Sequence, residues 1–281
     1  MTAMVLSVLL FSQQDCRKVS IMKRERSSIY IHIQPGEYHQ AIIKGVAWLI
    51  QLAKSDASKS SALLAVPTHS NLRGDISSVI GDKAVTSFNK GQTVMLNDLV
   101  KVSLLTERKV LYSWNGPVLA IYPTKRLLDK IDSLPGVTDV LVIPWTIQEV
   151  QYWIDTWAAA ELSAAPQVAT RKPFSNPIVE AALEALTKRV NLSTGILHPL
   201  DRATAVDLFR ILRDNGIPYD PKEIRAWLVS QGGWQPSDAD DVKRVAEAIL
   251  ARKALRGQRR AWSDDILKIF EQRAKKKQAG K

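Results

Sequence analysis

Three short runs of consecutive apolar residues constrain the fold more than any other feature of this chain. They occupy residues 62–66 (ALLAV), 118–122 (VLAIY) and 137–143 (VTDVLVI), and each is followed directly by a proline. A short, almost uninterrupted apolar run is typical of a strand that is buried on both faces of a parallel sheet. Residues 29–33 (IYIHI) have the β-branched and aromatic composition of a further strand.

Segments with helical spacing separate these strands. Apolar residues recur at intervals of three and four in 37–54, 125–131 and 147–157, and Thr146 with Glu149 forms a capping-box pattern before the third segment. Strands that alternate with helices favour an open, mostly parallel sheet with helices on both faces. We therefore predict a Rossmann-like α/β domain over residues 27–162.

Residues 81–115 do not follow this alternation. They contain three short apolar stretches, and we interpret them as an antiparallel insertion or edge of the sheet, with residues 106–109 (TERK) turning a hairpin.

The composition changes after the predicted sheet. Residues 163–176 contain two prolines and show no helical period, so we interpret them as a linker. Beyond them, strong helix-start signals appear, such as Asp220-Pro221 followed by Glu223. Residues 177–281 are predicted to form a small all-α domain that ends in a basic tail.

The start of the chain allows two interpretations. Residues 1–26 are expected to be an N-terminal extension, either packed on the domain or preceding a true start at Met22. The apolar stretch 4–11 is too short to span a bilayer, and we expect no membrane-spanning segment elsewhere. The single cysteine, Cys16, allows no disulfide within the chain, which favours a cytoplasmic location.

Ligands of open α/β sheets bind beyond the carboxyl ends of the strands. Polar residues follow all four predicted strands, and parallel strands would bring them to one edge. The predicted anion-binding residues are Thr68, His69, Thr124, Lys125, Arg126 and Trp145. His69 and Ser70 are the weak catalytic candidates, as acid or base and as nucleophile.

The motifs that would identify a reaction are missing from the sequence. It contains no glycine-rich phosphate loop, no nucleophile elbow and no histidine pair at metal-ligand spacing. We therefore predict no metal site, and the sequence decides neither the cofactor nor whether the protein is an enzyme.

Positive charge is concentrated at the end of the chain. Residues 251–281 contain eleven Lys and Arg against three acidic residues, a net +8 of the +11 carried by all 281 residues. Such a cluster is typical of proteins that contact a polyanion. The predicted nucleic-acid-contacting residues are Arg252, Lys253, Arg256, Arg259, Arg260, Trp262, Arg273, Lys275, Lys276 and Lys277.

Three functional hypotheses follow. The first is a nucleic-acid-associated cytosolic protein that binds phosphate backbone through its basic tail without clear sequence specificity. The second is an enzyme that acts on a nucleotide or a phosphorylated small molecule at the carboxyl ends of the strands. The third is an adaptor subunit of a multiprotein complex.

Overall fold

A seven-stranded sheet forms the first part of the protein. The computed structural model describes residues 26–34, 36–163, 174–255 and 261–279. The strands are β1 (Ser27–Tyr30), β2 (Ser61–Ala65), β3 (Val94–Leu96), β4 (Val100–Leu105), β5 (Gly116–Ile121), β6 (Val137–Ile143) and β7 (Ala160–Glu161). Their order across the sheet is β3-β4-β2-β5-β6-β1-β7, and every neighbouring pair except β3–β4 is parallel. The predicted mostly parallel sheet is confirmed.

The antiparallel edge predicted within residues 81–115 is also present, but its turn lies elsewhere. β3 and β4 are joined at Asn97 and Asp98, whose φ angles are 49° and 53°. Two successive residues with positive φ are the requirement of a tight hairpin turn, and Asn and Asp tolerate this conformation better than most residues. The prediction of a hairpin turn at 106–109 was therefore wrong, because these residues connect β4 to the parallel strand β5.

Helices cover both faces of the sheet. Alternate residues of β2 belong to two different apolar clusters, Ala62 and Leu64 to one and Leu63 and Ala65 to the other. The first cluster contains residues of the helices α1 (Tyr38–Ser55), α2 (Asp75–Ile80) and α3 (Asp82–Asn89), and the second contains residues of α4 (Lys125–Ser133) and α5 (Ile147–Trp157).

Gly45 allows α1 to approach the sheet closely. A Cβ atom at this position would lie 2.8 Å from Leu119 Cδ1 and 2.9 Å from Ile143 Cδ1, which is shorter than van der Waals contact.

An all-helical region follows the sheet. Its helices are α6 (Pro177–Arg189), α7 (Pro199–Asp214), α8 (Pro221–Ser230), α9 (Pro236–Leu250) and α10 (Ile266–Ala279). The first four begin with proline, whose missing N–H is harmless at that position, and the predicted cap Asp220 accepts a hydrogen bond from the Lys222 N–H. Helix α8 packs on α5 and α9 on α4, so the apolar cluster of the second sheet face continues into this region.

A buried ion pair connects Arg26, which directly precedes β1, to Asp132 of α4. Arg26 Nη2 lies 2.5 Å from Asp132 Oδ1, and the two side chains are only 3% and 1% exposed. The indole N–H groups of Trp153 and Trp157 donate to the two oxygens of Asp132, each at 3.2 Å. The Arg26 guanidinium also lies over the Trp157 ring, 3.5 Å from its centroid. Trp153 and Trp157 thus combine core packing with hydrogen bonds to a buried carboxylate.

Several predictions fall on parts of the chain outside the described residues. These are the N-terminal extension apart from Arg26, most of the linker, and residues 256–260. Among the helices that the structure describes, none combines the length and the apolar character required to cross a bilayer.

Candidate functional site

The carboxyl ends of the parallel strands converge on one edge of the sheet. β2 and β5 are neighbours there, yet the chain leaves β2 towards β4 on one side and leaves β5 towards β6 on the other. Such a reversal of direction opens a crevice between the loops that follow the two strands. Thr68 and Thr124 stand in these two loops. Glu107 joins them, because its N–H donates to the Pro67 carbonyl at 3.2 Å and its carboxylate accepts from the Thr124 hydroxyl at 2.5 Å.

An aromatic cluster occupies the same edge. Tyr38, at the start of α1, stacks on Trp145 with ring centroids 4.6 Å apart, and Tyr122 packs edge-on against Trp145 at 5.0 Å. The Trp145 side chain is 52% exposed. Sequence reasoning found Trp145 but missed both tyrosines, since an aromatic residue at the end of a strand is not in itself a signal of a site.

Tyr122 is the most constrained member of this cluster. Its φ is 51°, and its buried hydroxyl has no hydrogen-bond partner among the described residues. Burial raises the pKa of Tyr122 to about 12, with smaller contributions from Asp75 and Tyr38. The hydroxyl therefore stays protonated.

The weak catalytic candidates hydrogen-bond to different partners. His69 Nδ1 lies 2.9 Å from the amide oxygen of Asn89, and Ser70 Oγ lies 2.6 Å from the hydroxyl of Thr68. Neither of these hydrogen bonds joins His69 to the Ser70 hydroxyl.

Lys125 belongs to a ring of alternating charges between the sheet and the helical region. Its Nζ lies 2.6 Å from Asp129 and 2.8 Å from Asp240, and Arg225 contacts the same two carboxylates at 2.8 and 2.5 Å. Two cations and two carboxylates thus form a neutral ring that joins α4 to α8 and α9. Arg126, the next residue, is exposed.

The ring borders a cleft of about 710 Å³ between α5 and α8. Burial raises the pKa of Tyr152 far above its ordinary value, and the nearby carboxylate of Asp129 acts in the same direction. Its hydroxyl therefore remains neutral. No group of three or more potential metal ligands occurs among the residues that the structure describes.

The predicted nucleic-acid-contacting residues that the structure describes separate into three sets. Trp262 is 8% exposed and donates from Nε1 to the Thr204 carbonyl at 2.9 Å, so it packs in the core. Lys277 is paired with Glu180 and Glu184 at 2.8 and 2.9 Å. The exposed cations, which make no ion pair with the described part of the chain, are Arg252, Lys253, Arg273, Lys275 and Lys276. Arg256, Arg259 and Arg260 lie outside the described residues.

Helix α10, which carries several of these cations, is packed against the rest of the helical region. Its Phe270 and Ala274 are buried, and the helix packs on α6. Burial alone would lower the pKa of Lys277, but its hydrogen bonds to Glu180 and Glu184 outweigh this effect and raise the pKa. Lys277 thus anchors the helix, while Arg273, Lys275 and Lys276 are exposed and form no ion pair with the described part of the chain.

Comparison with known proteins gives one family match. Residues 175–271 match a family described as a domain of unknown function (DUF1889). The match covers α6 to α9 and the first half of α10, and it lies outside the sheet. A search of curated proteins found no match.

Proposed function

We propose that the protein associates with nucleic acid by contacting the phosphate backbone through the exposed cations that follow α9. The observation that carries the proposal is the local imbalance of charge. Of the net charge of +11, residues 251–281 carry +8, and five of their cations are exposed without an ion pair to the described part of the chain. Lys and Arg side chains of this kind neutralise phosphates and release condensed counterions, a contribution that is independent of base sequence.

A charge-matched pair of variants tests this proposal. Arg273, Lys275 and Lys276 are replaced together by Gln, and the control replaces three exposed lysines of the α/β region, Lys44, Lys54 and Lys90, by Gln. Both variants lose three positive charges. Fluorescence anisotropy with a generic duplex and a generic single strand at low salt is expected to show a much larger loss of affinity for the first variant.

The proposal fails if the full-length protein does not bind either probe at low salt. It also fails if the two variants lose the same affinity, because the position of the cations would then be irrelevant and only the net charge would matter.

A second candidate function uses the carboxyl edge of the sheet. Apart from the two-residue edge strand β7, the parallel strands run β4-β2-β5-β6-β1 across the sheet, which becomes 2-1-3-4-5 when β1 is counted last. This is the flavodoxin-like order with its last strand moved to the front, and it supports a doubly wound, Rossmann-like interpretation. In that order the ligand site lies beyond β2 and β5, where Thr68 and Thr124 stand.

The aromatic cluster favours a nucleotide or another phosphorylated molecule with a planar group as the ligand of this edge. Trp145 offers an exposed ring for stacking, and the N-termini of α1 and α5 next to it carry partial positive charge. Titration with AMP tests this candidate. Saturable binding that is lost in Trp145→Ala, but retained in Trp114→Ala, supports it, because Trp114 precedes β5 and lies at the opposite end of that strand. The absence of binding contradicts it.

A further inference from the structure

The cleft between α5 and α8 contains a buried cation with an unused donor. The Arg225 side chain is 7% exposed, and it directs Nε to Asp240 and Nη2 to Asp129. Its remaining nitrogen, Nη1, is buried and has no hydrogen-bond partner among the described residues. A buried N–H group without an acceptor costs roughly 1–3 kcal/mol, and more when the group is charged. Arg225 lines the cleft, so a small shift of its guanidinium would bring this nitrogen to an acceptor atom bound there.

The surroundings of Arg225 define the kind of ligand that fits. The positive charges of Arg225 and Lys125 are already matched by Asp129 and Asp240, so the site does not require an anion. Aromatic side chains, Tyr152, Phe174 and Trp227, line the same cleft. A neutral, planar molecule with acceptor atoms at its edge is the chemistry that satisfies Nη1 and packs against these rings.

The cleft is connected to the basic helix α10. Trp227 Nε1 donates to Glu180 at 3.3 Å, and the same carboxylate oxygen of Glu180 pairs with Lys277 at 2.8 Å. The exposed Lys275 and Lys276 directly precede Lys277. A nucleic-acid strand whose phosphates contact α10 therefore passes close to the helices that form the cleft.

We propose that this cleft binds a single nucleobase. The choice of a nucleobase among neutral planar heterocycles rests on the nucleic-acid association proposed above. The volume of about 710 Å³ is within the range of small-ligand sites and is sufficient for a base with its sugar. The acceptor atoms of the base receive a hydrogen bond from Arg225 Nη1, and its faces pack against the aromatic side chains.

Nucleosides test the cleft separately from the basic helix, because they carry no phosphate. Adenosine, guanosine, cytidine and uridine are titrated into the full-length protein by calorimetry, and saturable binding of at least one is expected. Ala226→Trp fills the cleft and is expected to abolish this binding. Its matched control is Ala248→Trp, a half-buried alanine on α9 that does not line the cleft, and this variant is expected to bind as the wild type does.

Arg225→Lys provides a second variant that keeps the charge but removes Nη1, and it is expected to weaken nucleoside binding at least tenfold. Circular dichroism establishes whether each variant is folded. If Ala226→Trp does not fold, the nucleoside binding of Arg225→Lys decides the test. Absence of saturable binding of all four nucleosides to the wild type overturns the proposal, as does unchanged binding in folded cleft variants. The Arg273, Lys275 and Lys276 triple variant separates the two proposals, because it should lose nucleic-acid affinity and retain nucleoside binding.

Discussion

Gly136 stands at a position next to the sheet where the backbone conformation and the close packing both require glycine. Its φ is +84°, and a Cβ atom would lie 2.3 Å from the Trp114 carbonyl oxygen. Gly216 has a similar φ of +69°, but its Cβ would meet open space. Left-handed backbone costs a residue with a side chain roughly 1–2 kcal/mol. Gly216→Ala should lose about that amount of unfolding free energy, and Gly136→Ala clearly more, as measured by urea unfolding. Equal losses would show that the close contact with Trp114 is unimportant.

Asp132 is a buried carboxylate whose replacement should destabilise the core. Asp132→Asn removes the carboxylate that faces Arg26 and is expected to cost about 3–5 kcal/mol of unfolding free energy, because a buried charge loses its counter-charge. Asp265→Asn is the control, since Asp265 and its partner Lys268 are both more than 70% exposed. Such surface pairs contribute about 0–1 kcal/mol. A loss for Asp132→Asn as small as that of the control would contradict the structural role assigned to this pair.

At the scale of elements, the charge ring makes the contact between α4 and α9 sensitive to acid. Burial alone raises the pKa of Asp240, but hydrogen bonds from Lys125 and Arg225 outweigh it and hold the pKa below the ordinary 3.8. As pH falls, the unfolded chain binds this proton first, so the stabilising contribution is complete above pH 3.8 and is lost as pH falls through the folded-state pKa.

Asp240→Asn should therefore remove part of the pH dependence of stability below about pH 4. Urea unfolding of the wild type and the variant over this acidic range checks the expectation. Glu247→Gln, on the exposed side of α9, serves as the control. An unchanged slope in Asp240→Asn would mean that the ring does not couple folding to this proton.

The sequence predicted elements well where one local signal dominated. The apolar runs at 62–66 and 137–143 form strands, because a strand that is covered on both faces has few positions for polar residues. Asp220-Pro221 starts α8, because both residues suit a helix N-terminus. The two-residue strand β7 was missed, since its pairing with β1 depends on neighbours and not on its own sequence.

At the scale of the whole molecule, the candidate site was predictable only in part. The parallel strands were sufficient to place Thr68, Thr124 and Trp145 on one edge of the sheet. The pairing of Lys125 with Asp240 was not predictable, because Asp240 is 115 residues away and approaches only when the helical region packs on α4 and α5. The same packing creates the cleft at Arg225, which no local pattern in the sequence indicated.

The central claim is that cations on α10 neutralise phosphates, and the salt dependence of binding measures this most directly. Each neutralised phosphate contributes roughly −0.9 to the slope of log K against log salt concentration on a duplex. Replacement of Arg273, Lys275 and Lys276 by Gln should therefore make the slope shallower by up to about 3, while the Lys44, Lys54 and Lys90 control keeps the wild-type slope. A wild-type slope in the α10 variant would contradict the account.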